Sequence, residues 1–217
     1  MCNKTCIDFG KAHLAEEVIK GKSVIEVGSL DVNGSLRQVA AAFAPSSYIG
    51  VDIQMGRGVD QVCKVEDLIR TFGCERFDVV LCTEVLEHVK DWREAIHNLK
   101  EVLKPGGVLL ITTRSLGKEY HGYPFDFWRY ELSDMKAIFS DFDIIALGRD
   151  VPEEPGVFLF ARKPSSYDEN NLSAYKLYSI VAGGRASVIK NNIYWALICV
   201  PQRKLFGKRR WINTLKK

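Results

Sequence analysis

No apolar run in this 217-residue chain approaches the roughly 20 residues that span a bilayer. The opening stretch MCNKTCIDFGKAHLAEE has no apolar h-region, so no secretory signal is expected. Metal spacing is also missing from the cysteines. Of six, Cys63, Cys74, Cys82 and Cys199 stand apart, and Cys2 and Cys6 form a C-x3-C with no third cysteine before Cys63. An iron–sulfur cluster needs a third ligand close behind, so no metal site is expected. Scattered thiols of this kind suit a reducing compartment, and the expected location is the cytoplasm. Internal repeats and low-complexity tracts are absent as well.

The charge is unevenly placed. Residues 165–217 hold 10 Lys+Arg against 2 Asp+Glu, a net of +8, whereas the first 164 residues hold 20 against 25, a net of −5. An acidic body thus carries a basic tail. Short apolar strands alternate with helical patterns through the body. Val24–Val27, Tyr48–Asp52, Val59–Val62, Phe77–Cys82 and Val108–Thr113 read as strands, and Phe142–Leu147 with Val157–Ala161 as a final hairpin. Between them, helices are expected over Phe9–Ile19, Leu36–Phe43 and Val65–Phe72. Two more should start at Asp91, capped with Glu94, and at Ser133, ending near Phe139. Strands alternating with helices predict an α/β, Rossmann-like, doubly wound and mostly parallel sheet, here of seven strands with an edge hairpin. Pro164-Ser-Ser marks the end of that domain. Residues 1–164 form it, and 165–217 form a basic extension expected to be helical and docked.

Ligands of such sheets bind outside the carboxyl ends of the strands. Three ends carry suitable groups. Gly28 lets a ligand approach the backbone, Asp52 can accept both hydroxyls of a ribose, and Cys82-Thr83-Glu84 ends the strand beside the first. Glu66-Asp67 opens a helix within reach of an adenine. The loop VIEVGSLDVNGS has glycines at 28 and 34 and Leu30 where a middle glycine would stand. Such a loop suits a dinucleotide pyrophosphate poorly.

The order VIEVGS, YIGVDI, VEDL, FDVVLCTEVLEHV and LKEVLKPGGVLLITT resembles the class I S-adenosylmethionine-dependent methyltransferases, especially the small-molecule branch called type 11. The resemblance covers about residues 7–163. It implies S-adenosylmethionine as cofactor. It also implies Glu26 at the methionine amino end through water, Gly28 with Ser29 under the cofactor, and Asp52 on the ribose. Ile53 follows Asp52, Val65 and Glu66 lie beside the adenine, and Cys82 and Thr83 lie below the methionine part.

A sulfonium methyl group is already activated, so the protein must align donor and acceptor and, for a hydroxyl acceptor, remove its proton. Candidates gather in RSLGKEYHGYPFDFWRY, after the fifth strand, which also resembles a signature of some type 11 enzymes. His121 is the candidate general base, as a neutral imidazole oriented by Asp126, with Arg129 holding the substrate. The plainer reading pairs Asp126 with Arg129 and packs Phe125, Phe127 and Trp128 onto the sheet. His88, in LEHV, is the rival base or a satisfied structural histidine.

Beyond Pro164 the apolar stretches Leu177–Ala182 and Ile193–Val200 precede Lys204, Lys208, Arg209, Arg210 and Trp211. This pattern suits an anionic membrane surface, a pocket cover or a docked subdomain; a nucleic-acid partner is disfavoured by the acidic body. The expectation is methyl transfer to a small molecule, with O-methylation favoured and a sugar or glycan-pathway intermediate as the guessed acceptor. The alternatives are a non-catalytic cofactor-binding partner protein on the same fold, and a nicotinamide oxidoreductase that the loop argues against. Oligomeric state is not legible.

Overall fold

The computed structural model describes residues 3–122 and 125–189. Two helices open the chain, α1 (Lys4–His13) and the short α2 (Glu16–Ile19). Next come β1 (Ser23–Val27), α3 (Arg37–Ala41), β2 (Ser47–Asp52), the two-residue β3 (Gln61–Val62), α4 (Leu68–Phe72), β4 (Phe77–Thr83), α5 (Trp92–Glu101) and β5 (Leu103–Arg114). The second half contributes β6 (Trp128–Arg129), α6 (Leu132–Ile138), β7 (Asp143–Arg149), β8 (Gly156–Arg162), β9 (Leu177–Ser179) and β10 (Gly184–Ala186).

Seven strands form one sheet in the order β3-β2-β1-β4-β5-β8-β7. Pairing is parallel from β3 to β5, and β8 is antiparallel to both β5 and β7. The expected edge hairpin is therefore present, with β8 inside and β7 outermost. Strand order reverses between β1 and β4, the place where open α/β sheets bind ligands.

Strand periodicity sends alternate residues to opposite faces. Ile25, Val27, Val80 and Cys82 join one core with α5 and α6, while Val24, Val79 and Leu81 join a second core with α2 and α3. Because both faces are covered, β4 is buried almost throughout, which explains its nearly continuous apolar run. On α5 the side chains of Trp92, Ala95, Ile96 and Leu99 face inward at helical spacing. Asp91 caps that helix as expected, accepting from the Glu94 amide at 3.4 Å.

Three boundaries differ from the sequence reading. The first helix starts earlier, because Asn3 caps it by accepting from the Cys6 amide at 2.9 Å. It also breaks at Leu14, whose side chain is buried. Helix α6 is capped by Glu131 rather than Ser133, through a capping box with Asp134. Over residues 165–189 the extension holds two short strands and no helix. Strand β9 pairs antiparallel with β6 and β10. It is docked all the same: Arg93 donates to the carbonyls of Leu172 (2.8 Å) and Ser187 (2.5 Å), and Tyr175 donates to Asp134 (2.9 Å). The basic and apolar segments expected at 193–200 and 204–211 lie outside the described residues, as does Cys2. No helix among the described residues is long and apolar enough to cross a membrane.

Lys100 ties the extension to the core. Its ammonium is buried and donates to Asp141 (2.6 Å), the Ile138 carbonyl (2.8 Å) and Asn170 (3.1 Å). Removing one partner of a buried ion pair strands the other charge. Asp141→Ala should lower unfolding stability in urea by about 3–5 kcal/mol. Lys100→Met combined with Asp141→Leu should recover most of that loss.

Candidate active site

The carboxyl ends of β1, β2 and β4 lie side by side. Gly28 has φ +78, and a Cβ placed there would come within 2.1 Å of Val85 Cγ2. Only glycine allows this close approach of the two strand ends. The amides of Gly28 and Ser29 both donate to the Val51 carbonyl, at 2.8 and 3.0 Å. Ser29 is buried beneath the loop. Asp52, at the end of β2, accepts from the amides of Gln54 (3.1 Å) and Leu30 (3.4 Å), which places its carboxylate at the mouth of the glycine loop. Exposed apolar side chains surround it: Ile53, Met55 and Val62, the last being the β3 register partner of Asp52. Val65 is buried in the short 3-10 turn Val65–Asp67, with Glu66 half-buried beside it. Cys82 and Thr83 are buried at the end of β4, and burial pushes the Cys82 thiol well up, so their backbone is what this edge presents.

Glu26 is held inside the chain at the base of the loop. It is 1% exposed, and its carboxylate accepts from Ser35 Oγ (2.9 Å), the Leu36 amide (3.1 Å) and Tyr48 OH (2.8 Å). These contacts tie the loop to the start of α3. Asp31 supplies what the missing middle glycine would have given. It accepts from the Gly34 amide at 3.0 Å, pairs with Arg57 at 3.0 Å, and its amide donates to the Arg57 carbonyl at 2.8 Å. Nothing in the glycine pattern pointed to Asp31; its signal was a small acidic residue three before a glycine, an Asx-turn pattern.

A second polar group lies just beyond β4. Glu84 takes φ +57, a strained position for a side chain, and is held there by an ion pair to Arg114 and by its amide donating to the Thr112 carbonyl at 2.8 Å. Burial, with Glu87 behind it, pushes the Glu84 carboxyl well above the usual range. The turn Leu86–His88 follows. Glu87 is fully buried; one oxygen accepts from Thr113 at 2.9 Å, and the other lies 3.7 Å from His88 Nε2 and 3.6 Å from His121 Nε2. The two imidazoles are 4.9 Å apart, edge to face. His121 Nδ1 lies 2.9 Å from Asp126 Oδ2, which also accepts from the His121 amide at 2.9 Å. Sequence reasoning placed His121 with Asp126, and the structure brings them together. It joins to them His88, the rival base, and adds Glu87, whose signal was an acid beside that imidazole in LEHV.

Electrostatics alters one expectation. Burial alone would favour neutral His121, but Asp126 and Glu87 outweigh it and raise its pKa to about 9. With nothing bound, His121 is an imidazolium at neutral pH rather than the neutral base expected. Burial lowers the pKa of His88. Burial also opposes ionisation of Glu87, yet His88 and His121 hold its carboxyl below the usual range.

Arg129 is a clamp. Its guanidinium is 1% exposed and uses all five N–H groups within the chain: two on Asp126 (2.5 and 2.7 Å) and one each on the carbonyls of Lys118 (3.1 Å), Glu119 (3.0 Å) and Trp128 (2.8 Å). No donor is left to hold a substrate. The aromatic residues of this loop are also structural. Phe127, Trp128 and Tyr130 are buried, and Trp128 Nε1 donates to the Val89 carbonyl at 3.0 Å. A cavity of about 360 Å³ opens beside them, lined by residues 117–121 with Pro152, Glu153 and Pro155. A second cleft of about 1070 Å³ runs along residues 31–35, α1 and α3.

Arg129→Met should leave Asp126 buried without its main partner. The expected loss is about 3–5 kcal/mol of unfolding stability, with new proteolytic cleavage between residues 118 and 129. Wild-type stability in that variant would contradict the clamp.

Comparison with known proteins agrees with this geometry. The family model described as "Methyltransferase domain" matches residues 4–148. Among curated relatives, "Ubiquinone biosynthesis O-methyltransferase" of Coxiella burnetii is 32% identical over a stretch covering 44% of this chain and 44% of the relative. The protein of the same name from Haemophilus ducreyi is 36% identical, covering 43% and 45%. The chain thus spans less than half the length of these relatives. Among solved structures, a 1,6-didemethyltoxoflavin-N1-methyltransferase from Burkholderia thailandensis with bound S-adenosylhomocysteine superposes with a TM-score of 0.58 at 14% identity, covering 73% of this chain and 78% of the other. The N-methyltransferase NodS from Bradyrhizobium japonicum gives 0.54 at 14% identity, covering 75% and 89%. At that identity the likeness concerns the fold. The family match covers well over half of the sequence, and the chain belongs to the methyltransferase-domain family.

Proposed function

We propose that the chain transfers a methyl group from S-adenosylmethionine to the hydroxyl of a small molecule. The observation that carries the acceptor chemistry is the group formed by Glu87, His88 and His121 at the end of β4, beside the glycine loop. The donor is proposed to lie across Gly28 and Ser29, with its ribose hydroxyls on Asp52. Its adenine would rest among Ile53, Val65 and Glu66, and its methionine part over the backbone of Cys82 and Thr83. Glu26 acts on it only through the loop that it ties down. The acceptor's hydroxyl meets His121 and its neighbours, and Asp126 and Arg129 serve by positioning His121.

The relatives named for O-methylation support this choice over transfer to nitrogen or carbon. They give no support to a sugar or glycan acceptor, and Phe127, Trp128 and Tyr130 of the loop that suggested one are buried. In the reaction, the acceptor oxygen forms a bond to the methyl carbon while the carbon–sulfur bond breaks and its electron pair stays on sulfur. The acceptor's proton passes to water before or during attack. Alignment of the two reactants is worth up to about 7–11 kcal/mol.

Titration calorimetry should show S-adenosylmethionine and S-adenosylhomocysteine binding one per chain, and NAD not binding. Loss of charge-assisted hydrogen bonds in Asp52→Ala should weaken binding by about 1.5–3 kcal/mol. His121→Ala should bind the cofactor nearly as wild type yet turn over hydroxylated acceptors far more slowly. Tight cofactor binding with no transfer to any phenol, catechol or alcohol would favour the non-catalytic reading instead.

A further inference from the structure

We infer that Glu87, His88 and His121 form a binding site for a divalent transition-metal ion of the zinc class. The inference departs from the sequence, which shows no metal spacing: Glu87 and His88 are adjacent, but His121 arrives from a loop 33 residues later. Each of the three residues offers one ligand atom, and these atoms all lie within 4.8 Å of one another; Glu87 Oε1 faces His88 Nε2 and His121 Nε2. From Oε1 the two nitrogens are 3.7 and 3.6 Å away. A tetrahedral ion with bonds of about 2.0–2.1 Å would space its ligand atoms about 3.3–3.4 Å apart. Small side-chain adjustments bring the set to that spacing.

Independent features around the three atoms point the same way. Glu87 Oε1 is fully buried and has no hydrogen-bond partner among the described residues. A buried carboxylate oxygen left without a partner is costly, and here it faces two imidazole nitrogens. Each imidazole is backed on its other nitrogen by an oxygen. His88 Nδ1 lies 2.5 Å from the Phe125 carbonyl, and His121 Nδ1 lies 2.9 Å from the Asp126 carboxylate. At His88 the carbonyl acceptor fixes the proton on Nδ1 and leaves the Nε2 lone pair free to ligate. The other oxygen of Glu87 is held by the Thr113 hydroxyl at 2.9 Å. A hydrogen-bonded carboxylate and imidazoles supported at the far nitrogen are the outer-shell arrangement of metal-ligating residues. Asp126 is in turn gripped by Arg129, so the loop that carries His121 is rigid.

Two imidazoles and one carboxylate suit zinc, cobalt or ferrous iron rather than magnesium or calcium. Three protein ligands leave a position open, as in catalytic sites. Side-chain exposure is 18% for His88 and 24% for His121, while Glu87 is enclosed, so the open side is that of the imidazoles. His121 also borders the 360 Å³ cavity. The role of the ion, though not its binding, rests on the proposed O-methylation. An acceptor hydroxyl bound to it would lose its proton to water more readily. The resulting oxyanion attacks the sulfonium methyl, the carbon–sulfur bond breaks onto sulfur, and the neutral ether leaves with the metal unchanged.

The full-length chain, stripped by a chelator, should take up one Zn²⁺ per chain by calorimetry. It should also take up one Co²⁺ with the visible ligand-field bands of a low-coordinate nitrogen–oxygen site. His88→Ala and His121→Ala should abolish those bands, and Asp126→Asn should weaken uptake by about 10–100-fold. His97→Ala, on an exposed imidazole paired with Glu169, should leave uptake unchanged. S-adenosylhomocysteine binding, measured on every variant, reports folding and separates the two readings. A chain that binds S-adenosylhomocysteine but takes up neither metal overturns the metal site alone. Variants of His88 or His121 that keep that binding and take up cobalt as wild type does overturn it as well. Metal uptake without S-adenosylhomocysteine binding supports the metal site and contradicts the cofactor assignment.

Discussion

Burying the Glu87 carboxylate obliges the chain to surround it with compensating groups, because an unpaired charge in the interior costs several kcal/mol. Strand β5 supplies the Thr113 hydroxyl, and the turn after β4 supplies His88. The third group, His121, comes from a distant loop, so that loop must be fixed as well. The same turn does this. The Phe127 amide donates to the Glu87 carbonyl at 2.7 Å, and Trp128 Nε1 donates to the Val89 carbonyl. Arg129 then closes the loop on Asp126. Strand β9 of the extension completes the chain of supports by pairing with β6.

That dependence gives the extension a part in the site. A basic tail read from composition alone suggests a membrane contact or a cover. Its described portion pairs through β9 with β6, at the end of the loop that carries His121, while Tyr175 and Arg93 hold it to α6 and α5. The donor edge is built differently. It relies on backbone: a glycine at the end of β1, amides converging on the Val51 carbonyl, and Asp31 shaping the long loop. One edge is thus made by main-chain geometry and the other by buried side chains, and the two meet where Gly28 faces Val85.

Much of the fold was legible because its signals are local. The apolar run of β4, the helical spacing on α5 and the Asp91 cap each depend on residues close in sequence. The placement of Gly28, Asp52 and Cys82-Thr83 at strand ends was legible for a related reason. What escaped was long-range. Ser35, Leu36 and Tyr48 occupy Glu26 only once the loop has folded back. Arg129 looked like a substrate ligand because its five acceptors, three of them carbonyls, leave no mark in sequence. His88 looked structural on its own turn and gains its significance from His121, 33 residues away. The extension was expected to be helical, whereas over residues 165–189 pairing with the two-residue β6 gives it short strands.

The proposed reading sets the donor on the ends of β1, β2 and β4 with its sulfur toward Glu87, His88 and His121. A crystal structure of the full chain with S-adenosylhomocysteine tests it most directly. The account predicts the ribose hydroxyls on Asp52, the adenine among Ile53, Val65 and Glu66, and the sulfur turned toward Glu87, His88 and His121. A ligand bound elsewhere, or bound with its sulfur turned away from those three residues, would contradict it.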